Sequence, residues 1–252
     1  MKRFLVQSIL IIIIPLTIVL GGIELFIRKI PNDYAYKHEW MTTNKSHVEI
    51  LCLGSSHGYF GIKPEFFSKS AFNLAFTSQS LKYDKYLYDT YATDCSSLNY
   101  LIVPISYFTM RSNLETSVEN WRIKGYCIYM GCGFHQYDAC YNLEIASRDK
   151  LSSIFDFMLC DTSFVNCDTL GWGANYKHEL RDDEWKKTGA TACARHTNLL
   201  PKYVEENVRC LQFIIDDCVR RNVKVILLTT PTHESYFEQL DTIQLKEMEE
   251  IC

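Results

Sequence analysis

The sequence predicts an α/β fold, a parallel sheet covered by helices on both faces and preceded by one transmembrane helix. Three observations predict it: an N-terminal apolar stretch of membrane-spanning length, strand signals that alternate with helix signals, and strand runs that are apolar almost throughout. Alternating strands and helices favour a sheet with helices packed on it. Strands without a polar face belong in sheets buried on both sides, which are usually parallel.

The first element is FLVQSILIIIIPLTIVLGGIELFI, from Phe4 to Ile27, with Glu24 as its one charge. Crossing hydrocarbon takes about 20 residues, and this run is longer. Pro15 is tolerated in such a helix because neighbouring groups re-satisfy the freed carbonyl. A cleaved signal would end in small residues, whereas Glu-Leu-Phe-Ile-Arg-Lys follows here. Residues 4–27 are therefore expected to be a single-pass membrane anchor. Lys2 and Arg3 at one end and Arg28 and Lys29 at the other leave positive-inside counting nearly balanced.

The polar stretch 31–46 (PNDYAYKHEWMTTNKS) is expected to be a linker, and 47–252 the α/β domain. Within that domain VEILCLG (48–54), AFNLAF (71–76), LNYLIVPIS (98–106) and VKVILLTTP (223–231) read as buried strands, the last stopped by Pro231. Leu81, Leu87, Tyr88 and Tyr91 mark a helix over 79–94. Val204, Val208, Leu211, Ile214, Ile215, Cys218 and Val219 mark an amphipathic one. A further helix starts near 236. The intervening stretch, about 112–200, is rich in aromatics and without a clear period. It is expected to be either a cap over a cleft or a peripheral packing subdomain.

Composition narrows the function classes. Of 252 residues 47% are hydrophobic and 22% charged, so the chain is globular rather than disordered. A net charge of −4 and the lack of a Lys/Arg stripe set nucleic acid aside as a partner. The eleven cysteines are an odd number. Cys52, Cys210 and Cys218 fall on apolar faces and read as small hydrophobes. Cys127, Cys132, His135 and Cys140 lie close together, but their spacings are looser than the tight pairs zinc prefers. Neither a metal nor another cofactor is expected.

Polar residues gather where the strands end: Ser55, Ser56 and His57, then Asn73 and Thr77-Ser78-Gln79, then Ser106, then Thr229, Thr230 and His233. Ligands of parallel sheets sit beyond those carboxyl ends. Gly54-Ser55-Ser56-His57-Gly58 also matches G-x-S-x-G, the nucleophile elbow of α/β-hydrolases. Two features oppose that reading. Only anchor and linker precede the strand, and Gly58, Gly61 and Pro64 disfavour the helix an elbow must enter.

LCLGSSH, NLAF and a strand ending in VPIS together resemble the SGNH (GDSL-like) hydrolase superfamily. They are most similar to its membrane-anchored bacterial branch that acts on cell-surface polymers, such as alginate O-acetyltransferases and the teichoic-acid D-alanine transfer protein. The resemblance covers residues 47–110 and 200–235. It implies a flavodoxin-like three-layer parallel sheet, here without its last strand, and a domain outside the cytoplasm. It also implies that Ser56 is the nucleophile, that the Ala75 backbone N–H is an oxyanion donor, and that Ser106 (or Tyr107) stands in place of the family asparagine. The family's Asp-x-x-His does not occur in this chain. His233, in TTPTHESYF with Glu234 beside it, is the substitute that reading offers as base or cleft residue.

Two functions are then expected in alternative. One is a membrane-anchored esterase or O-acyltransferase acting on acyl esters of a cell-surface glycan, with the glycan and an acyl donor as partners. The other is a catalytically inactive tethered module that binds a glycan or an assembly partner of envelope polysaccharide. Without a base a serine hydroxyl is a poor nucleophile at neutral pH, and that is the point on which the two part.

Overall fold

A computed structural model describes residues 2–146, 157–159, 163–176, 188–197 and 199–252, with side chains from Ile9 onward. Its helices are α1 (Lys2–Ile27), α2 (Asp33–Asn44), α3 (Ser56–Gly61), α4 (Leu81–Tyr91), α5 (Ile123–Tyr129), α6 (Ala139–Asn142), α7 (Thr188–Thr197), α8 (Val204–Arg220), α9 (Glu234–Phe237) and α10 (Thr242–Ile251). Its strands are β1 (Ile50–Cys52), β2 (Ala71–Asn73), β3 (Tyr100–Pro104) and β4 (Lys224–Leu228). The chain forms two compact units, residues 2–38 with 121–165 and residues 39–120 with 166–252. The aromatic-rich stretch is thus divided between them rather than forming one body.

In the first unit, Ile9–Ile27 of α1 is long and apolar enough to cross a membrane, and most of its side chains are exposed, with Glu24 and Ile27 buried near its end. The stretch expected as a linker is instead helical. Asn32 Oδ1 accepts the N–H groups of Tyr34 and Ala35, and Asp33 follows in the first turn. A side-chain cap and an early acidic residue are what a helix start needs. Its buried positions do not form an apolar stripe, so periodicity gave no sign of it. The end of α1 is tied to distant sequence: Glu24 accepts from Arg28 Nε and from the backbone N–H groups of Glu144 and Ile145.

The second unit holds the sheet, all parallel, in the order β2-β1-β3-β4. Ile50 pairs with Ala71 on one side and with Tyr100 on the other, and Tyr100 pairs in turn with Lys224. Leu51, Leu53, Phe72, Leu101 and Val103 are fully buried. Trp40 stacks on Phe72 with ring centroids 3.8 Å apart. Helices α4 and α8 pack on each other, α4 burying Leu81, Leu87 and Tyr88, and α8 burying Leu211, Ile214 and Cys218. Val219, counted with the apolar face of α8, points outward instead and is 70% exposed. No disulfide joins any two of the ten described cysteines.

The chain runs from β1 to β2 on one side and then returns to place β3 on the other. The strand order therefore reverses between β1 and β3. Ligands of open parallel sheets bind at such a point.

Candidate functional site

The site begins with the exit from β1. Gly54 has φ +108°, and a Cβ there would lie 2.8 Å from Pro104 Cδ. Only glycine fits both the backbone angle and the space. Its N–H donates to Asp84 Oδ1 at 2.6 Å, and Gln79 Nε2 donates to the same oxygen at 2.6 Å. Asp84, on α4, is buried beneath the turn, and burial pushes its carboxyl up to about 7 against these two hydrogen bonds.

Helix α3 starts at once, with the Ser55 carbonyl accepting the N–H groups of Gly58 and Tyr59. A helix here corrects the expectation drawn from the two glycines. A Cβ at Gly58 would lie 2.8 Å from the Leu53 carbonyl oxygen and 2.9 Å from Pro104 Cγ, so glycine lets the helix lie against the strands. Close packing outweighs the low helix propensity of glycine, which costs about 1 kcal/mol. The helix ends at Gly61, before Pro64. Asn73, at the end of β2, laces the same helix, donating from Nδ2 to the carbonyls of Gly58 and Ile62 at 2.9 and 2.8 Å.

Ser56 is the first residue of α3 and is half-buried; no hydrogen bond to its hydroxyl forms among the described residues. Its neighbour His57 reaches across to β3, with Nδ1 2.6 Å from Ser106 Oγ. The backbone N–H of Ser106 donates to Thr109 Oγ1 at 2.8 Å, which fixes the turn that carries the hydroxyl. The His57 ring lies edge-on to Phe108, with centroids 5.2 Å apart, and 6.5 Å from His196. His196 stacks at a tilt on Phe108 at 4.1 Å and bonds Tyr236 OH through Nδ1 at 2.8 Å. Burial lowers the pKa of both imidazoles, that of His196 to about 4, with the charges of His57 and Arg195 adding to the effect. Both rings are therefore neutral at pH 7, and a neutral imidazole can accept a proton.

The remaining expected residues lie elsewhere or are engaged. Ala75 is fully buried, and its N–H donates to Asn73 Oδ1 at 2.9 Å, so that amide is already committed. Tyr107 OH is shared between Thr197 Oγ1 and the Asp241 N–H. His233 Nδ1 accepts from the N–H of Ser235 and caps α9. It does not line the small cavity of about 60 Å³ where His57 and Ser106 meet Thr229, Thr230 and Tyr236. Thus β1, β3 and β4 do bring their polar ends together, and the histidine among them is His57. A larger cavity of about 360 Å³ is lined by His196 and Phe108 with Ser78, Gln79, Arg111 and Tyr203. His196 sits on α7, far from any strand end in sequence, and no spacing or motif marked it. No group of three His, Cys, Asp or Glu that could hold a metal occurs among the described residues.

Comparison with family models, with curated proteins and with solved structures gives no match to this chain. The functional reading therefore rests on the residues of the site.

Proposed function

We propose that the second unit is an SGNH-like, flavodoxin-like module that carries out serine-dependent acyl transfer or ester hydrolysis at the carboxyl ends of β1 and β3. The observation that carries the reading is the 2.6 Å contact between His57 Nδ1 and Ser106 Oγ at the point where the strand order reverses. A hydroxyl holding one imidazole nitrogen fixes the ring and leaves Nε2 to take a proton, the division of labour seen in serine triads. In this reading Ser56, as the resemblance implies, attacks the acyl carbonyl of an ester. His57, replacing His233 as base, takes the hydroxyl proton and passes it to the departing alcohol, and water or an acceptor hydroxyl then releases the acyl group from Ser56. Ser106 orients the ring rather than supplying the family asparagine's hydrogen bond, and Ala75 has no role as donor. A hydroxyl is a weaker orienting group than a carboxylate, so a slow enzyme is expected. The larger cavity, with ring faces at Phe108 and Tyr203 and hydroxyl and amide groups around them, suits a polyhydroxylated acceptor such as a surface glycan. Helix α1 would hold the module at a membrane, with the sheet outside the cytoplasm.

The second reading is the non-catalytic glycan- or partner-binding module. The engaged Ala75 amide and a Ser56 hydroxyl without a hydrogen bond among the described residues favour it. A fluorophosphonate probe, with the modified residue mapped by mass spectrometry, separates the two. The first reading expects label on Ser56, abolished by Ser56→Ala and by His57→Ala. Label on Ser106 instead would keep the chemistry and move the nucleophile. Protein that stays folded but takes no label on either serine would leave the binding module as the function.

A further inference from the structure

The first unit places a second apolar element beside α1. The last turn of α1 carries its own polar collar: Glu24 is bonded to Arg28 Nε and to the N–H groups of Glu144 and Ile145, and Arg28 Nη2 donates to the Asn142 carbonyl at 2.7 Å. These bonds pin residues 142–145 at the level where the apolar run gives way to Arg28 and Lys29. Residues 157–159 do not stop at that level. The Phe157 ring meets Phe26 edge-on at 6.1 Å, and Met158 lines a groove of about 390 Å³ with Val19, Gly22, Ile23 and Phe26. At about 1.5 Å rise per residue, Phe26 lies roughly 3 Å and Val19 roughly 14 Å from Arg28 along the helix, both towards the apolar interior of the run. Met158 thus sits on the apolar side of the collar. It is 65% exposed and its neighbour Leu159 81%, as is typical of α1 itself, where Ile11 is 72% and Leu25 65% exposed.

We propose that Phe157–Leu159 is embedded with α1 in the adjoining leaflet of a lipid bilayer, and that lipid acyl chains fill the groove between Met158 and Val19–Phe26. The inference rests on the reading of α1 as membrane-spanning. Lipid is the occupant because the exposed apolar surface of 157–159 is continuous with the exposed apolar surface of the helix and lies at the same level along its axis. Every described side chain of the groove is apolar or glycine. A segment lying in the interface gains from buried apolar area in the way monotopic elements do. The polar collar supplies the boundary, since its carboxylate and guanidinium are paired with each other and with backbone groups.

The test uses the full chain in phosphatidylethanolamine/phosphatidylglycerol vesicles doped with a phosphatidylcholine that carries a diazirine in its acyl chain. After illumination, lipid adducts are mapped by mass spectrometry on three peptides. One contains Val19–Ile23, one contains Phe157–Leu159, and one contains Val118, a water-exposed reference that is 90% exposed. The expected result is that the 157–159 peptide is labelled as heavily as the Val19–Ile23 peptide while the Val118 peptide stays at background. Labelled α1 with 157–159 at background would overturn the inference while leaving the anchor standing, and would point to a protein surface as what covers Met158 and Leu159. Background labelling of α1 itself would overturn both the anchor and the inference.

Discussion

Strands β1 and β4 belong to one sheet, and their sequences look alike: VEILCLG and VKVILLTTP are both short apolar runs that end in polar or turn-forming residues. In the structure they differ sharply. β1 lies between two partners with all three residues buried, whereas β4 has a partner on one side, and Ile226 and Leu228 are 42% and 38% exposed. The residues after β1 are locked in place: Gly54 to Asp84, the α3 carbonyls to Asn73, and His57 to Ser106. Immediately after β4 the Thr229 hydroxyl reaches the Ile105 carbonyl. A strand flanked on both sides can hold a geometry at its end because its neighbours' loops close over it. An edge strand offers fewer anchors, and its open side is available for pairing.

The largest effect that would break this comparison is on stability. Leu51→Ala removes a fully buried side chain from β1 and is expected to cost about 2–5 kcal/mol. Ile226→Ala on β4 is expected to cost under about 1 kcal/mol, because much of that side chain already meets solvent. Denaturant midpoints of the two variants in matched detergent check this. Equal losses would mean that β4 is as central to the folded unit as β1.

A smaller effect, confined to the β1 end, concerns pH. The Asp84 carboxyl is raised to about 7, so the folded protein holds a proton there that an unfolded chain has lost above the ordinary carboxylate range near 3.8. Its contribution to stability is present in full below that range and is lost as pH rises through about 7. Asp84→Asn keeps an acceptor for Gly54 and removes the titration. The wild type is expected to lose stability relative to this variant between about pH 4 and 7, as read from denaturant midpoints. His196 acts in the opposite sense: with its pKa lowered to about 4, it costs stability as pH falls from the ordinary histidine value. Since His196 is present in both proteins, the difference between them isolates Asp84. A flat difference would place Asp84 in a wetter setting than the buried turn described above.

Much of the sheet was legible because parallel strands announce themselves as apolar runs, and the four runs became the four strands, although β4 is half-exposed and not the buried strand its apolar run suggests. That the chain turns after β1 was legible too, since glycine and hydroxyl residues after such a run are turn and cap residues. The pairing of His57 with Ser106 was not. The two residues are 49 positions apart, and only the placement of β3 beside β1 brings them together. As the chain neighbour of Ser56, His57 shows no local sign of a partner. Its partner, however, comes from another strand. The helix at Ser56 was missed for a related reason: Gly58 disfavours a helix in isolation, but is needed once Leu53 and Pro104 press against it. Helix α2 escaped notice because a capping Asn32 starts it rather than an apolar stripe. His196 left no mark, as a single histidine in a polar helix has no pattern to give it away.

The most direct test of the site is the state of His57 in solution. Nitrogen-15 NMR of histidine-labelled protein, with the His57 signals assigned by their loss in His57→Gln, reads both its protonation and its tautomer. The account predicts a ring that titrates below the ordinary histidine value and is held in one tautomer. That tautomer preference should be lost in Ser106→Ala and kept in Thr229→Ala. A His57 that titrates at the ordinary value and is indifferent to Ser106 would contradict the hydrogen-bonded pair on which the proposed chemistry depends.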